Sequence, residues 1–186
     1  MTHKSLTLML AASLSSLISC TAMDEQQCRS VDWQEKGSRD AQRGLKAQTI
    51  ERYAQACREF GVSANVDAYT AGWNSGIKDY CTRDNGWKTG LAETAASYSH
   101  TCPKNLEAEF YSAYQLGRAV REARDEVEDV RRELDEVLEK LAGQELSDDR
   151  RTALNKKRKN LKKELSSAQW HESQAEKEAR DMGFAI

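Results

Sequence analysis

The chain has 186 residues, of which 39% are hydrophobic and 31% charged, with a single proline. That length suits one domain, or one domain with an extension, and scarce proline beside plentiful Ala, Glu, Lys, Leu and Arg argues against sandwiches and barrels. Twenty-eight bases against 30 acids leave no global field to recruit nucleic acid.

Met1-Thr2-His3-Lys4 starts the chain with a basic stub, and the stretch from Ser5 to Ile18 carries no charge. Such a run is too short to span a bilayer but suits the apolar region of an export signal. It ends in Leu17-Ile18-Ser19-Cys20, which resembles the lipobox of bacterial lipoproteins. The resemblance implies that residues 1–19 are a cleaved signal peptide. It also implies diacylglycerol on the Cys20 sulfur and an acyl chain such as palmitate on its new amino group, because one chain alone anchors only marginally. Thr21 stands where an Asp would imply inner-membrane retention. The expected location is therefore the periplasmic face of the outer membrane in a Gram-negative bacterium, with residues 20–31 as lipidated N-terminus and tether. No later stretch is apolar enough to span a membrane, which leaves the lipid as the anchor.

Four cysteines follow, Cys28, Cys57, Cys81 and Cys102. An even set in an exported chain predicts disulfides. A four-thiolate zinc site competes poorly because no Cys-x-x-Cys pair occurs, so no metal is expected. Trp33, Gly37, Asp40 and Gly44 fall on one stripe of a helix over about 32–45. Ile50, Tyr53, Ala54, Cys57 and Phe60 mark a second helix, ended by Gly61. An antiparallel hairpin of these two brings Cys28 to Cys57. A third helix over 66–80 buries Val66, Tyr69, Trp73, Ile77 and Tyr80, and the polar run Thr82 to Gly86 reads as a turn. Cys102 precedes a helix introduced by Pro103 and Asn105, which leaves Cys81–Cys102 as the second bridge. Each bridge is worth about 3 kcal/mol in the chain-entropy description.

Gly72-Trp73-Asn74-Ser75-Gly76 recurs as Gly86-Trp87-Lys88-Thr89-Gly90, with a looser echo in Ala113-Tyr114-Gln115-Leu116-Gly117. Mid-helix Gly costs about 1 kcal/mol against Ala, so its repetition points to compensation by close helix crossing. A second reading makes Trp33, Tyr69, Trp73, Trp87 and Tyr114 an aromatic platform for a sugar or peptide. The order Cys28, Asp32-Trp33, Gly37, Asp40, Gly44, Cys57, Tyr69, Gly72, Gly76, Tyr80-Cys81, Gly86, Gly90, Tyr98, Cys102-Pro103 and Gly117 resembles a group of small bacterial lipoproteins, domain-of-unknown-function family 2799. The likeness runs from about Cys28 to Val120. It implies a cysteine-stapled helical lipoprotein and names no activity.

From Val120 the apolar positions are Val120, Ala123, Val127, Val130, Leu134, Val137 and Leu141, alternating steps of three and four as in a coiled-coil seam. Gly143 interrupts it, Leu146-Ser147-Asp148-Asp149 reads as a cap, and a weaker seam returns through Leu154, Arg158, Leu161, Leu165, Ala168, Glu172, Ala175, Ala179 and Met182. Residues 122–139 carry nine acids and three bases, whereas 150–163 carry eight bases and no acid. Folding about Gln144 is expected to lay these segments together, with the charges specifying register. The rival use of the basic face is an anion such as lipopolysaccharide phosphate.

The expected architecture is therefore all-α: a disulfide-stapled helical head over 32–120 and a long antiparallel coiled-coil hairpin over 105–186 that shares its first helix with the head. Asp40 is the one acid on an apolar stripe, a candidate buried carboxylate. His100 lies in a polar loop and His171 on a charged face. Neither has a catalytic motif around it, so no enzyme, cofactor or nucleic-acid partner is expected. The functional expectation is a structural or protein-interaction module of the cell envelope, able to bind an envelope protein or a second copy. The alternative is a module that binds peptidoglycan fragments, glycan or lipopolysaccharide through the Trp/Tyr-rich head or the basic helix.

Overall fold

The computed structural model describes residues 23–92, 98–143 and 145–186, so Cys20, the expected signal peptide and the expected fold point Gln144 lie outside the described residues. Among the described residues seven helices follow one another: α1 (Glu25–Ser30), α2 (Trp33–Gln42), α3 (Thr49–Arg58), α4 (Val66–Tyr80), α5 (Arg83–Leu91), α6 (Lys104–Ala142) and α7 (Asp148–Asp181). Short polar side chains start most of them, as orphan first-turn N–H groups require. Asp24 accepts from the Gln27 N–H while Gln27 answers through the Asp24 N–H, a capping box. Asp32, Asn65 and Thr82 cap α2, α4 and α5 by accepting the N–H three residues on.

Two expectations are corrected here. The segment 20–31 is not a tether throughout, because α1 occupies Glu25–Ser30 and its Cys28 is bridged to Cys57. Met23 is buried in the core as well, so the head includes Met23 and α1 and is not confined to residues from 32 onward. The run Thr82 to Gly86 is not a turn but the cap and first turn of α5. Thr82 Oγ1 accepts from the Asn85 N–H at 3.2 Å, and Gly86 serves packing rather than chain reversal.

The disulfides join Cys28 to Cys57 and Cys81 to Cys102, with Cα separations of 5.5 and 5.7 Å. Around them α2 crosses α4, and α5 crosses α6, each through glycine. A Cβ on Gly72 would overlap the Gln34 carbonyl, and one on Gly76 would overlap that of Ser38. In the second crossing Gly86 and Gly90 meet the carbonyls of Phe110 and Tyr114 in the same relation. The repeated Gly-Trp motif is thus the mark of two equivalent backbone crossings, in which removal of Cβ lets Cα–H groups rest on carbonyl oxygens.

Past the head, α6 and α7 pack side by side. Arg124 meets Glu176 at 2.7 Å, His171 approaches Glu126 at 3.8 Å, and Lys157 meets Glu133 at 3.1 Å. As the α6 partner advances the α7 partner recedes, so the helices run antiparallel. Val120, Val127 and Val137 face Leu161, Ala168 and Ala179 in burial, and the remaining α6 seam positions are half-buried. Met182 departs from the expected pattern, being 52% exposed. The helix stops at Asp181, Gly183 turns the chain with φ +84°, and Phe184 takes the buried place.

The expected charge pairing is realised only in part. Among the described residues, Lys157 is the one base of 150–163 that bridges to an α6 acid. Arg158 is half-buried at its expected seam position, and the other six are exposed.

Candidate functional site

Among the described residues one acid is buried, Asp40. Asp40 lies on α2 one turn beyond Lys36, and it is 1% exposed. A carboxylate without water needs partners, and it has two. Lys36 Nζ donates to Oδ1 at 2.6 Å, and the Tyr69 hydroxyl of α4 donates to Oδ2 at 3.0 Å. Lys36 also donates to the Tyr53 hydroxyl at 2.8 Å and stands over that ring, 4.2 Å from its centre. Burial, and then the adjacent Asp40 carboxylate, pushes the Tyr69 hydroxyl well above the ordinary tyrosine range, which keeps it a proton donor. Three helices thereby meet at one charge.

Above this network opens a cleft of about 500 Å³ walled by Met23, Gln27 and Val31 on one side and Lys36, Asp40 and Arg43 on the other. Lys36, Arg39 and Arg43 alternate along it with Asp32, Glu35 and Asp40, and Glu35 pairs with Arg39 at 3.6 Å. The walls are therefore charge-balanced and do not concentrate an anion. Chemically the arrangement holds a neutral pair in place. Both Asp40 oxygens and two of the three Lys36 N–H groups are committed within the protein.

The five candidate aromatics do not form a platform. Trp33, Tyr69, Trp73, Trp87 and Tyr114 are each 8% exposed or less. The indole of Trp73 donates to the Leu45 carbonyl at 2.8 Å, and Trp87 lies flat on Phe184 with ring centres 4.6 Å apart. Tyr114 accepts from the Tyr98 N–H through its hydroxyl at 3.2 Å. No flat face is left for a sugar, because helices crossing at glycines bring the rings inward. They are packing residues.

His100 stands apart from the cleft. It has φ 53°, its Nδ1 lies 2.6 Å from the Glu107 carboxylate, and its ring leans on Tyr98 and Tyr111. Its side chain is 64% exposed. His171, on α7, is half exposed beside Glu126. Local spacing gives no signal that Tyr53 meets Lys36 or that Phe184 meets Trp87. Lys36 had a readable signal, its i−4 spacing from Asp40. Among the described residues no cluster of His, Cys, Asp and Glu has the makings of a metal site, and no helix is long and apolar enough to cross a membrane.

Residues 32–119 match the model of a family described as protein of unknown function, DUF2799. The head belongs to this family. The match starts at the cap of α2 and ends beside Val120, so the DUF2799 unit contains both glycine crossings, Asp40 and three of the four bridged cysteines. Cys28 and the return helix α7 lie outside it. Comparison with curated proteins and with solved structures gave no match to the chain.

Proposed function

We propose that this chain is a lipoprotein of the outer membrane's periplasmic face, a non-enzymatic module whose head sits at the lipid surface and whose hairpin presents its flanks to an envelope partner. The observation that carries this reading is the burial of Met23, three residues after Cys20. Three residues of chain span at most about 11 Å, so a lipid on Cys20 would hold the head almost against the headgroups. From Val120 to Ala142, α6 then runs on for roughly 33 Å beyond the head. The committed donors and acceptors around Asp40 support the non-enzymatic part, since a general acid or base needs a proton it can exchange with substrate. The ligand-binding alternative loses its aromatic platform to burial of the rings.

The test uses the full chain in a Gram-negative host. An alkyne fatty acid should label the wild-type protein and float it with outer membranes, and Cys20→Ser should abolish both. Photo-crosslinkers at exposed Asp135 and Lys159 should trap a defined protein. An unlabelled product in the cytosol with residues 1–19 attached overturns the anchoring; labelled protein that crosslinks to nothing overturns the interaction role.

A further inference from the structure

The two helices of the hairpin carry opposite charge on opposite edges. Residues advance about 100° per step on a helix, so Glu128, Asp135, Glu136 and Glu139 form a stripe about 140° away from the seam of Val127, Leu134 and Val137. Arg131 and Arg132 lie within that stripe and leave it net acidic. On α7 the groove of Asn155, Arg158, Lys159, Lys162, Lys163 and Ser166 contains four cations and no acid; Arg158 borders the seam, and the exposed Lys159, Lys162 and Lys163 face away from it. Trp170, one turn beyond Ser166 on that face, is 61% exposed. The intramolecular contact of Lys157 with Glu133 sets the relative height of the helices. Counted from it, 155–166 stands level with about 124–135 of α6, overlapping the acidic stripe to within about one turn.

We propose that the partner of each edge is a second copy of this chain, the basic edge of α7 docking along the acidic edge of α6 in a neighbour. This rests on the anchoring proposed above. Copies held by one lipid end share one orientation, so a neighbour displaced sideways presents its acidic stripe at the height of the basic groove. The contact is heterologous and leaves one edge free on each side, so it extends into rows. Exposed ion pairs are individually weak, which makes the association depend on several pairs acting together and on the high local concentration of a tethered protein. A polyanionic lipid surface is the competing occupant of the basic edge. It explains nothing about the matched acidic edge.

The test supplies its own tether, so its outcome is independent of Cys20. Residues 21–186 with an N-terminal histidine tag are held on nickel-chelating phosphatidylcholine vesicles, and energy transfer between labelled copies is read. Wild-type chains should transfer about threefold above random mixing, and the excess should vanish between about 0.1 and 1 M NaCl, where the screening length falls from about 10 to about 3 Å. Lys159→Glu/Lys162→Glu/Lys163→Glu and Glu128→Lys/Asp135→Lys/Glu136→Lys, each checked for helicity, should be at the random level alone and regain transfer when mixed. Random-level transfer by wild type, or by the mixture, overturns the proposal. So does random-level transfer together with salt-sensitive binding of untethered wild type to phosphatidylglycerol vesicles that the triple Lys→Glu variant loses, which assigns the edge to lipid.

Discussion

Gly72→Ala is the sharpest test of the crossing geometry, because elementary helix propensity predicts the opposite sign. In an exposed helix interior Gly to Ala gains about 1 kcal/mol. At Gly72 the added Cβ would overlap the Gln34 carbonyl oxygen and fall 2.7 Å from its carbon and 3.0 Å from the Gln34 Cα. Carbon contacts are optimal near 3.5–4.0 Å, so α4 must move off α2 by about 1 Å, and the obstacle is backbone, which has no rotamer to change. That displacement loosens Tyr69, Trp73 and Ile77 together and draws the Tyr69 hydroxyl away from Asp40. Overpacking of this kind costs about 1–3 kcal/mol. With the weakened buried hydrogen bond added and the propensity gain subtracted, the net loss is about 3 kcal/mol. For a chain of this size that lowers Tm by about 6–12 °C. Thermal unfolding followed by circular dichroism measures it, with Gly143→Ala as control. At Gly143 the nearest atom is the Glu139 carbonyl oxygen at 3.4 Å, an ordinary contact, and no loss is expected. If Gly72→Ala melts at or above the wild-type temperature, the crossing is not as close as described.

Removing the first bridge with Cys28→Ser/Cys57→Ser opens a loop of 29 residues and should cost about 3–4 kcal/mol in urea titrations; an unchanged midpoint would show that the pairing adds nothing. Phe184→Ala removes the ring stacked on Trp87 and under the Arg83 guanidinium, at about 2–3 kcal/mol, and should shift tryptophan emission to the red. An unmoved spectrum would mean that the C-terminus does not cover Trp87. Tyr69, Tyr80 and Tyr98 are all pushed up in the folded state, chiefly by burial. The unfolded chain releases these protons near pH 10 and the folded chain holds them, so stability should be level below that pH and fall as pH rises beyond it. Tyr69→Phe should flatten the decline between about pH 9.5 and 11, and a slope that stays the same counts against the buried hydroxyl.

The parts of the fold that sequence made visible are those carried by local spacing. The spacing of Tyr69, Trp73 and Ile77 marked the face that α4 buries, whereas Val66, expected in the core, is 48% exposed in the first turn and Tyr80 only half-buried in the last; the alternation from Val120 to Leu141 marked the face that α6 buries. Both disulfides followed from where the helices end. Thr82 to Gly86 misled because Thr, Asp, Asn and Gly serve turns and helix starts alike; only the burial of Gly86 against α6 decides between them. Asp40 was recognisable as buried, and Lys36 lay within local reach of it. Tyr69, 29 residues away, is brought there by a crossing that no local pattern encodes. Phe184 was hidden for a related reason: its partner Trp87 is distant in sequence, and the heptad count pointed to Met182 instead.

The weak half of the hairpin explains why that C-terminal contact exists. Along 34 residues α7 buries only Leu161, Ala168 and Ala179, two of them with a single methyl group each. So little apolar area holds a long helix poorly, and the surface ion pairs to Glu133 and Glu126 add little more. Closure at the base supplies what the seam lacks. Gly183 reverses the chain, Phe184 packs on Trp87 with Val120 and Ala179, and Arg83 caps the ring while donating to the Met182 carbonyl. The Trp87 carbonyl in turn rests where a Cβ of Gly117 would come within 2.5 Å, so the glycine crossing that builds the head also positions the ring that closes the hairpin. Head and hairpin are therefore joined twice, once through the unbroken α6 and once through Phe184.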